Sequence, residues 1–248
     1  MRKATLIPAL LGSMLIAVFL SACSGRGNPH FVGNLLQEPF AAADFTLTDQ
    51  DGASFHMAAM KGKVVLLSFI YTHCTDICPF IAVKVKDAYQ LLGKDAANVV
   101  LVAVTTDPKR DVPEVTAAYT RQLGMENAWH FVSGDPAAVQ AVWAGYGIGV
   151  TPDPATGAAA DKEEMKSSSS GGASTGAAPA EEASPPTQGL SEGDLTLAGT
   201  IVDKFGGGYE VGHSAPFWIV DRKGQIRVGM DADATPADLV ANIRALLR

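Results

Sequence analysis

Apolar residues recur along the chain with two periods, which predict strands and helices in alternation. Apolar runs at residues 64–71 and 99–104 predict strands buried on both faces, and residues 129–132 predict a shorter one. Between these strands, apolar side chains recur at helical spacing over residues 81–92 and again over residues 115–123, where Asp111 is predicted to cap the helix and Gly124 to end it. Strands that alternate with helices predict an α/β sheet with parallel crossovers.

The C-terminal part predicts elements that close this sheet. Residues 217–220 and 226–230 predict a hairpin around the turn at residues 221–224. A last helix is predicted from Thr235, because Thr235 and Asp238 have the spacing of a capping box. The predicted fold is therefore a central mixed sheet flanked by helices.

Residues 151–193 interrupt the pattern. They are rich in Ala, Ser, Gly, Pro, Glu and Thr, so almost nothing in them can be buried and disorder is expected. A linker between two domains is one interpretation and an insertion within one domain is the other. We favour an insertion, because the roughly 50 residues that follow are too few for a convincing core. The predicted domain therefore spans residues 41–248.

The first residues predict an export signal. Arg2 and Lys3 precede an apolar stretch at residues 6–20, which is shorter than the ~20 residues that a spanning helix needs. Leu20-Ser-Ala-Cys23 resembles the lipobox of bacterial lipoproteins, whose cysteine is acylated. Residues 1–22 are therefore predicted to be a signal peptide, Cys23 the lipidated residue and residues 23–40 a tether. An ordinary signal peptide with an incidental cysteine is the alternative.

This prediction has consequences for location and partners. An acylated Cys23 would make the protein an exported bacterial lipoprotein, anchored to a membrane and facing the periplasm or the cell exterior. The hydrophobic fraction of 47% and charged fraction of 18% are typical of a globular protein. The formal net charge of −7 gives no electrostatic reason to expect nucleic acid as a partner.

Cys74 and Cys78 are the candidate reactive residues. They stand four residues apart where a buried strand is predicted to meet a helix, and the positive end of the helix dipole would stabilise a thiolate there. The pair could share a metal ion or form a disulfide. A purely structural disulfide is the alternative, but closing so short a loop gains little stability. The spacing therefore favours chemistry.

A metal bound by two sulfurs needs a third ligand. Soft sulfur ligands favour Cu(I), zinc or iron–sulfur clusters, and the chain offers five histidines: His30, His56, His73, His130 and His213. His213 precedes the strand at residues 217–220, and in a thioredoxin-like sheet that loop faces the start of the cysteine-bearing helix. An incidental loop histidine remains the alternative. His56, beside Met57 and Met60, is a less favoured candidate for a transient copper relay.

Four motifs, in one order, carry a family resemblance. The segment Tyr71-Thr-His-Cys-Thr-Asp-Ile-Cys-Pro79 is similar to Y-T-x-C-P-D-x-C-P, with Thr75 in place of the first proline. The segment Thr106-Asp-Pro-Lys-Arg-Asp-Val-Pro-Glu114 is similar to D-P-x-R-D-x-P, and Trp129-His-Phe-Val-Ser-Gly134 to W-x-x-x-x-G. His213-Ser214 lies eight residues before Asp221. The sequence thus resembles the Sco/SenC family of copper-binding assembly proteins for cytochrome c oxidase.

The resemblance runs from about residue 40 to 248, apart from the insertion, and it implies a thioredoxin-like fold. It also implies a site for one copper ion with Cys74, Cys78 and His213 as ligands, and Asp76 as a residue that shapes the loop or assists metal transfer. The implied partner is the copper-bearing subunit of apo-cytochrome c oxidase. A metallochaperone turns over no substrate, so the protein is not expected to be an enzyme in the usual sense.

Two alternatives stay open. Cys74 and Cys78 could instead be the redox-active pair of a thiol–disulfide reductase that keeps the cysteines of a partner reduced, with a thioredoxin-like reductant as a second partner. Pro216 favours this alternative, because it stands where thioredoxin-like reductases have a cis-proline. A peroxidase is less favoured, since the pattern P-x-x-x-T-x-x-C is not found before Cys74. Zinc remains a further occupant of the metal site.

Overall fold

The computed structural model describes residues 31–152 and 186–248. The predicted signal peptide, Cys23, His30 and residues 153–185 of the predicted insertion lie outside the described residues. Within the part that is described, no helix is both long and apolar enough to cross a membrane.

The described strands are β1 (Asn34–Ala41), β2 (Thr46–Thr48), β3 (Ser54–His56), β4 (Val64–Ile70), β5 (Val99–Thr105), β6 (His130–Val132), β7 (Val150–Pro152), β8 (Val211–His213), β9 (Phe217–Val220) and β10 (Gln225–Met230). Six of them form a mixed central sheet, in the order β1-β10-β9-β4-β5-β6. The parallel pairs β4·β5 and β5·β6 confirm the predicted crossovers, whereas β9 runs antiparallel to β4 and closes the sheet with β10 and β1. The hairpin β2·β3 and the ribbon β7·β8 lie outside it.

Five α-helices lie in the described residues, and two of their ends confirm particular predictions. Gly124 ends the second helix in the left-handed conformation, and a capping box between Thr235 and Asp238 starts the last. The helices are α1 (Cys78–Leu92), α2 (Pro113–Leu123), α3 (Pro136–Tyr146), α4 (Glu192–Phe205) and α5 (Pro236–Leu247), with short 3-10 helices at Met57–Met60 and Gly93–Asn98.

The sheet separates two hydrophobic cores, and β4 contributes to both because its side chains alternate between the faces. Val64, Leu66 and Ile70 pack among residues of α1, α4 and α5. Val65 and Leu67 face the other core, which α3 and the hairpin β2·β3 cover. This sandwich confirms the predicted α/β fold with a mixed sheet flanked by helices.

The structure moves the predicted domain boundaries. Part of the predicted tether, residues 23–40, forms β1, which pairs with β10 and places Leu35 against the core. At the other boundary, α4 begins inside the predicted insertion, because a capping box between Ser191 and Asp194 starts it. The helix then buries Ala198 and Ile201. Leu195, Ala198, Ile201 and Phe205 recur at helical spacing, so the sequence carried a signal for this helix that the predicted insertion overlooked.

Candidate metal centre

The two cysteines lie where β4 leads into α1. The helix begins at Cys78, as predicted, with Pro79 in its first turn, where a missing N–H costs nothing. Cys74 is 3% exposed and Cys78 is fully buried, and both are free thiols. The pair therefore lies at the N-terminal end of a helix as two buried, unbridged thiols.

The surroundings shift the pKa values of the two thiols in opposite directions. A hydrogen bond from the Cys78 thiol lowers the pKa of Cys74, despite burial, and the backbone N–H groups of Cys78 and Asp76 add to the effect. Burial raises the pKa of Cys78 well above its usual value. Cys74 therefore ionises first, and its thiolate is the stronger initial nucleophile or ligand.

Asp111 supports the segment that joins β4 to α1, residues 71–77, which is called the cysteine loop below. The sequence predicted instead that Asp111 caps α2. Val112 holds the cap position, and the Asp111 carboxylate points inward. It accepts hydrogen bonds from the hydroxyls of Thr72, at 2.5 Å, and Thr105, at 2.6 Å, and from the Thr72 backbone N–H. Burial raises the pKa of Asp111 to about 7. The buried carboxyl group of Asp111 thus holds Thr72, near the start of the cysteine loop, in place.

His213 lies against the cysteine pair, as the sequence predicted. Its Nε2 is 3.4 Å from Cys78 Sγ, and its Nδ1 is 3.0 Å from the Ser214 carbonyl oxygen. Because a carbonyl only accepts, Nδ1 carries the hydrogen in the neutral ring and the Nε2 lone pair faces the sulfur. Burial lowers the pKa of His213, which favours this neutral form. Metal-binding histidines are commonly oriented by such a bond from the other ring nitrogen.

The strand that carries His213 belongs to the ribbon β7·β8. His213 is the register partner of Val150, and Ser214 continues the pairing through two hydrogen bonds with the backbone of Gly149, each 3.0 Å long. Among the residues that the structure describes, the ribbon makes no strand pairing with the central sheet. His213 thus reaches the cysteines from a separate and smaller element.

Arg110 anchors the glycine-rich loop that leads into β8. Its guanidinium donates to the carbonyls of Gly207, at 3.0 Å, and Tyr209, at 2.8 Å, and lies 3.7 Å from the centre of the Tyr209 ring. It also pairs with Asp107, which accepts a hydrogen bond from the Tyr209 hydroxyl. Arg110 lies in the motif at residues 106–114, but the sequence did not indicate this role, because the loop that Arg110 contacts lies almost 100 residues away.

The remaining predicted candidates lie in other surroundings. The copper relay of His56, Met57 and Met60 stays a prediction: the His56 ring bonds Asp44, and Met57 is buried in the core. His73 bonds the Thr72 hydroxyl and His130 bonds Asp49. Asp76 lies near the site, and burial and the charge of Glu210 raise its pKa. The Pro216 peptide bond is trans, so the expected cis-proline is wrong.

The donor set fits a soft metal ion, although the site is not fully formed. Two sulfurs and one imidazole nitrogen are the ligands that Cu(I) favours. Within residues 31–152 and 186–248, no group of three or more His, Cys, Asp and Glu side chains could hold a metal ion as it stands. The contact between Cys78 and His213 is already made. Binding through all three side chains would therefore require at least one of them to adjust.

The chain matches one protein family over more than half of its length. The family model described as SCO1/SenC matches residues 34–171. A SCO2-like protein of Rickettsia felis is 38% identical over 80 residues, which are 32% of this chain and 39% of that relative. A SCO1 homolog of Bacillus subtilis is 29% identical over 48% of this chain and 60% of its own length. The chain thus spans less than two thirds of either curated relative.

A solved structure shows the same fold. Bradyrhizobium japonicum ScoI, determined with copper bound, superposes with a TM-score of 0.57. The match covers 84% of this chain and 99% of that one, at 23% sequence identity. At 23% identity this similarity is evidence for the fold alone, and the fold is thioredoxin-like.

Proposed function

The chain belongs to the SCO1/SenC family, and we propose that it is a copper metallochaperone that binds one copper ion through Cys74, Cys78 and His213. The contact between His213 Nε2 and Cys78 Sγ is the observation that carries this proposal. It brings a neutral imidazole lone pair to a thiol that lies 135 residues away in the chain. Thiolate and imidazole are both ligand types that suit copper, which is why this contact supports the proposal.

Copper is the cargo in this proposal, and the protein acts by holding and releasing it. Cys74, whose pKa is lowered, would be the first thiolate to bind, and Cys78 would lose its proton as the metal binds. His213 would bind through Nε2 while Nδ1 keeps its bond to Ser214. A three-ligand site leaves room for an incoming ligand, so copper can leave by ligand exchange, one bond at a time.

The proposed recipient is the copper-bearing subunit of cytochrome c oxidase, the partner of the family that the motifs resemble. The same proposal includes an export signal at residues 1–22, a lipid on Cys23 and a membrane-anchored position outside the cytoplasm. These features rest on the sequence alone. Incorporation of labelled fatty acid by the full chain, and its loss in Cys23→Ala, would support the anchor.

Copper titration of the reduced protein tests the ligand set. We expect one copper per chain. Changing a residue that only supports the ligands typically weakens metal binding about 10- to 100-fold, and we expect a larger loss of affinity in His213→Ala because it removes a ligand. His56→Ala is the matched control, because His56 is exposed and bonds Asp44. Equal affinity of wild type and His213→Ala would contradict the proposed site.

A thiol–disulfide reductase is the second candidate, and the unequal cysteine pair supports it. Cys74 has a lowered pKa and Cys78 stands beside it as the resolving thiol. The Cys74 thiolate would attack a partner disulfide and release one partner thiol. Cys78 would then displace the second, leaving a Cys74–Cys78 disulfide. His213→Ala separates the candidates, because it should abolish tight copper binding and leave reduction of a partner largely intact.

A further inference from the structure

The two halves of the candidate copper site need a physical link, because they come from distant parts of the chain. Cys78 begins α1, whereas His213 lies on a three-residue strand whose register partner is β7. The position of the imidazole relative to the sulfurs therefore depends on contacts between the loop before β8 and the cysteine loop.

Glu210 makes such a contact with both of its carboxylate oxygens. Oε2 accepts a hydrogen bond from the Tyr71 hydroxyl, and Oε1 accepts one from the Thr75 hydroxyl at 2.8 Å. Tyr71 and Thr75 stand on either side of Cys74 in the chain. Hydrogen bonds to an ionised carboxylate are shorter and stronger than those between neutral groups. One side chain thus spans the cysteine segment.

The next residue extends the link to the histidine strand. The Val211 N–H donates to the Tyr71 hydroxyl oxygen over 3.1 Å, so this hydroxyl both donates to and accepts from the segment that precedes His213. The Tyr71 ring also lies edge-on to the His213 ring, with centres 5.7 Å apart. Tyr71 is 1% exposed and cannot readily move away.

Thr75, which binds Glu210, is also the residue at which the chain departs from the motif Y-T-x-C-P-D-x-C-P. The resembled pattern has proline at this position, and proline has no hydroxyl to donate. In this chain the hydroxyl of Thr75 meets the carboxylate of Glu210. The substitution and the glutamate together form a contact that the proline of the motif could not make.

We propose that Glu210 is a positioning residue that clamps the strand of His213 to the cysteine loop and thereby sets the geometry of the copper site. This inference rests on the proposed function. Glu210 acts through Tyr71, Thr75 and the Val211 amide, and it is not itself a ligand.

Copper affinity of two pairs of variants tests the clamp. Glu210→Ala should lower the affinity about 10- to 100-fold, the usual effect of a residue that orients ligands. Thr75→Val should lower it less, and Thr75→Ser should restore the wild-type value because it keeps the hydroxyl. Glu126→Ala is the charge-matched control, since Glu126 is exposed and lines a surface depression that includes none of the candidate copper ligands. A loss in Glu126→Ala equal to that in Glu210→Ala would overturn the proposal in favour of a general charge effect.

Hydrogen exchange without copper distinguishes failure of the clamp from failure of the proposed function. Glu210→Ala should speed exchange of the Val211 amide at least about 10-fold, because its acceptor Tyr71 is no longer fixed. Unchanged exchange and unchanged copper affinity in Glu210→Ala would overturn the clamp. If wild type binds no copper, the proposed function fails, and the Val211 amide alone then decides whether Glu210 positions the strand.

Discussion

The cysteines and the histidine of the candidate site lie on elements that differ in their support. The cysteines follow β4, whose seven residues are all buried between β5 and β9. The histidine lies on β8, a three-residue strand in a separate ribbon with β7. The cysteine half is therefore held by buried groups, in the core and at Asp111, whereas the histidine half depends more on polar side chains such as Arg110 and Glu210. Changes to the first should affect stability, and changes to the second should affect copper binding at smaller cost in stability.

The largest loss of stability is expected from the buried carboxyl below the cysteine loop. Asp111→Ala would leave the Thr72 and Thr105 hydroxyls and one backbone N–H without their acceptor. We expect the free energy of unfolding to fall by about 3 kcal/mol, within the range for a lost buried acceptor, as measured by urea denaturation. Asp111→Asn keeps one acceptor oxygen and should lose less. Equal stability of Asp111→Ala and wild type would contradict this role.

The same carboxyl predicts a dependence of stability on pH. Burial raises the pKa of Asp111 to about 7, above the 3.8 of an exposed aspartate, so the folded protein holds a proton that the unfolded chain has lost. The contribution of Asp111 is therefore complete below about pH 4 and is lost as the pH rises to about 7. We expect a fall of at most about 1.4 kcal/mol per pH unit in this window. The fall should be smaller in Asp111→Asn, and identical curves would refute the assignment.

Loss of Arg110 should weaken the histidine half. Arg110→Ala removes the donors to the carbonyls of Gly207 and Tyr209 and leaves Asp107 with fewer partners. We expect about 2 kcal/mol of destabilisation, together with faster amide exchange over residues 207–211. Lys109→Ala is the control, because that neighbouring side chain is exposed. Exchange that stays at the wild-type rate in Arg110→Ala would show that the loop is held by other contacts.

The smallest effect is expected where α4 ends against the cysteine loop. A Cβ on Gly206 would lie 2.6 Å from the Val202 carbonyl oxygen and 2.9 Å from Thr75 Cγ2. Gly206→Ala should therefore cost about 1 kcal/mol through overpacking. Gly199→Ala, in the same helix with open space around it, should be neutral or stabilising by about 0.5–1 kcal/mol. Thermal unfolding of both variants measures this difference in stability. Equal unfolding temperatures for the two variants would show that Val202 and Thr75 do not crowd a side chain at position 206.

The cysteine half was also the more predictable half from sequence. The apolar run of β4, Pro79 and the helical spacing of α1 are local signals, and the structure confirmed the helix start at Cys78. The ribbon β7·β8 has two three-residue strands with 58 intervening positions, so local patterns did not indicate it. The start of α4 lay inside a segment expected to be disordered, and the helical spacing of Leu195, Ala198 and Ile201 was overlooked there. The role of Asp111 was mistaken because a capping residue and a buried acceptor look alike in sequence.

Contacts within the histidine half depend on long-range packing. Sequence position and family resemblance indicated His213, but nothing in the spacing indicated Glu210 or Arg110 as its supports. Their partners lie about 100 or more residues away along the chain. Such contacts follow from the assembled fold and cannot be read from a local motif.

X-ray absorption at the copper edge tests the central claim most directly, because it counts the atoms bound to the metal. For the reduced protein loaded with one equivalent of copper, we predict two sulfur neighbours and one imidazole nitrogen. The imidazole should disappear in His213→Ala and remain in His56→Ala. A wild-type spectrum without imidazole, or one that is unchanged by His213→Ala, would contradict a copper site formed by Cys74, Cys78 and His213.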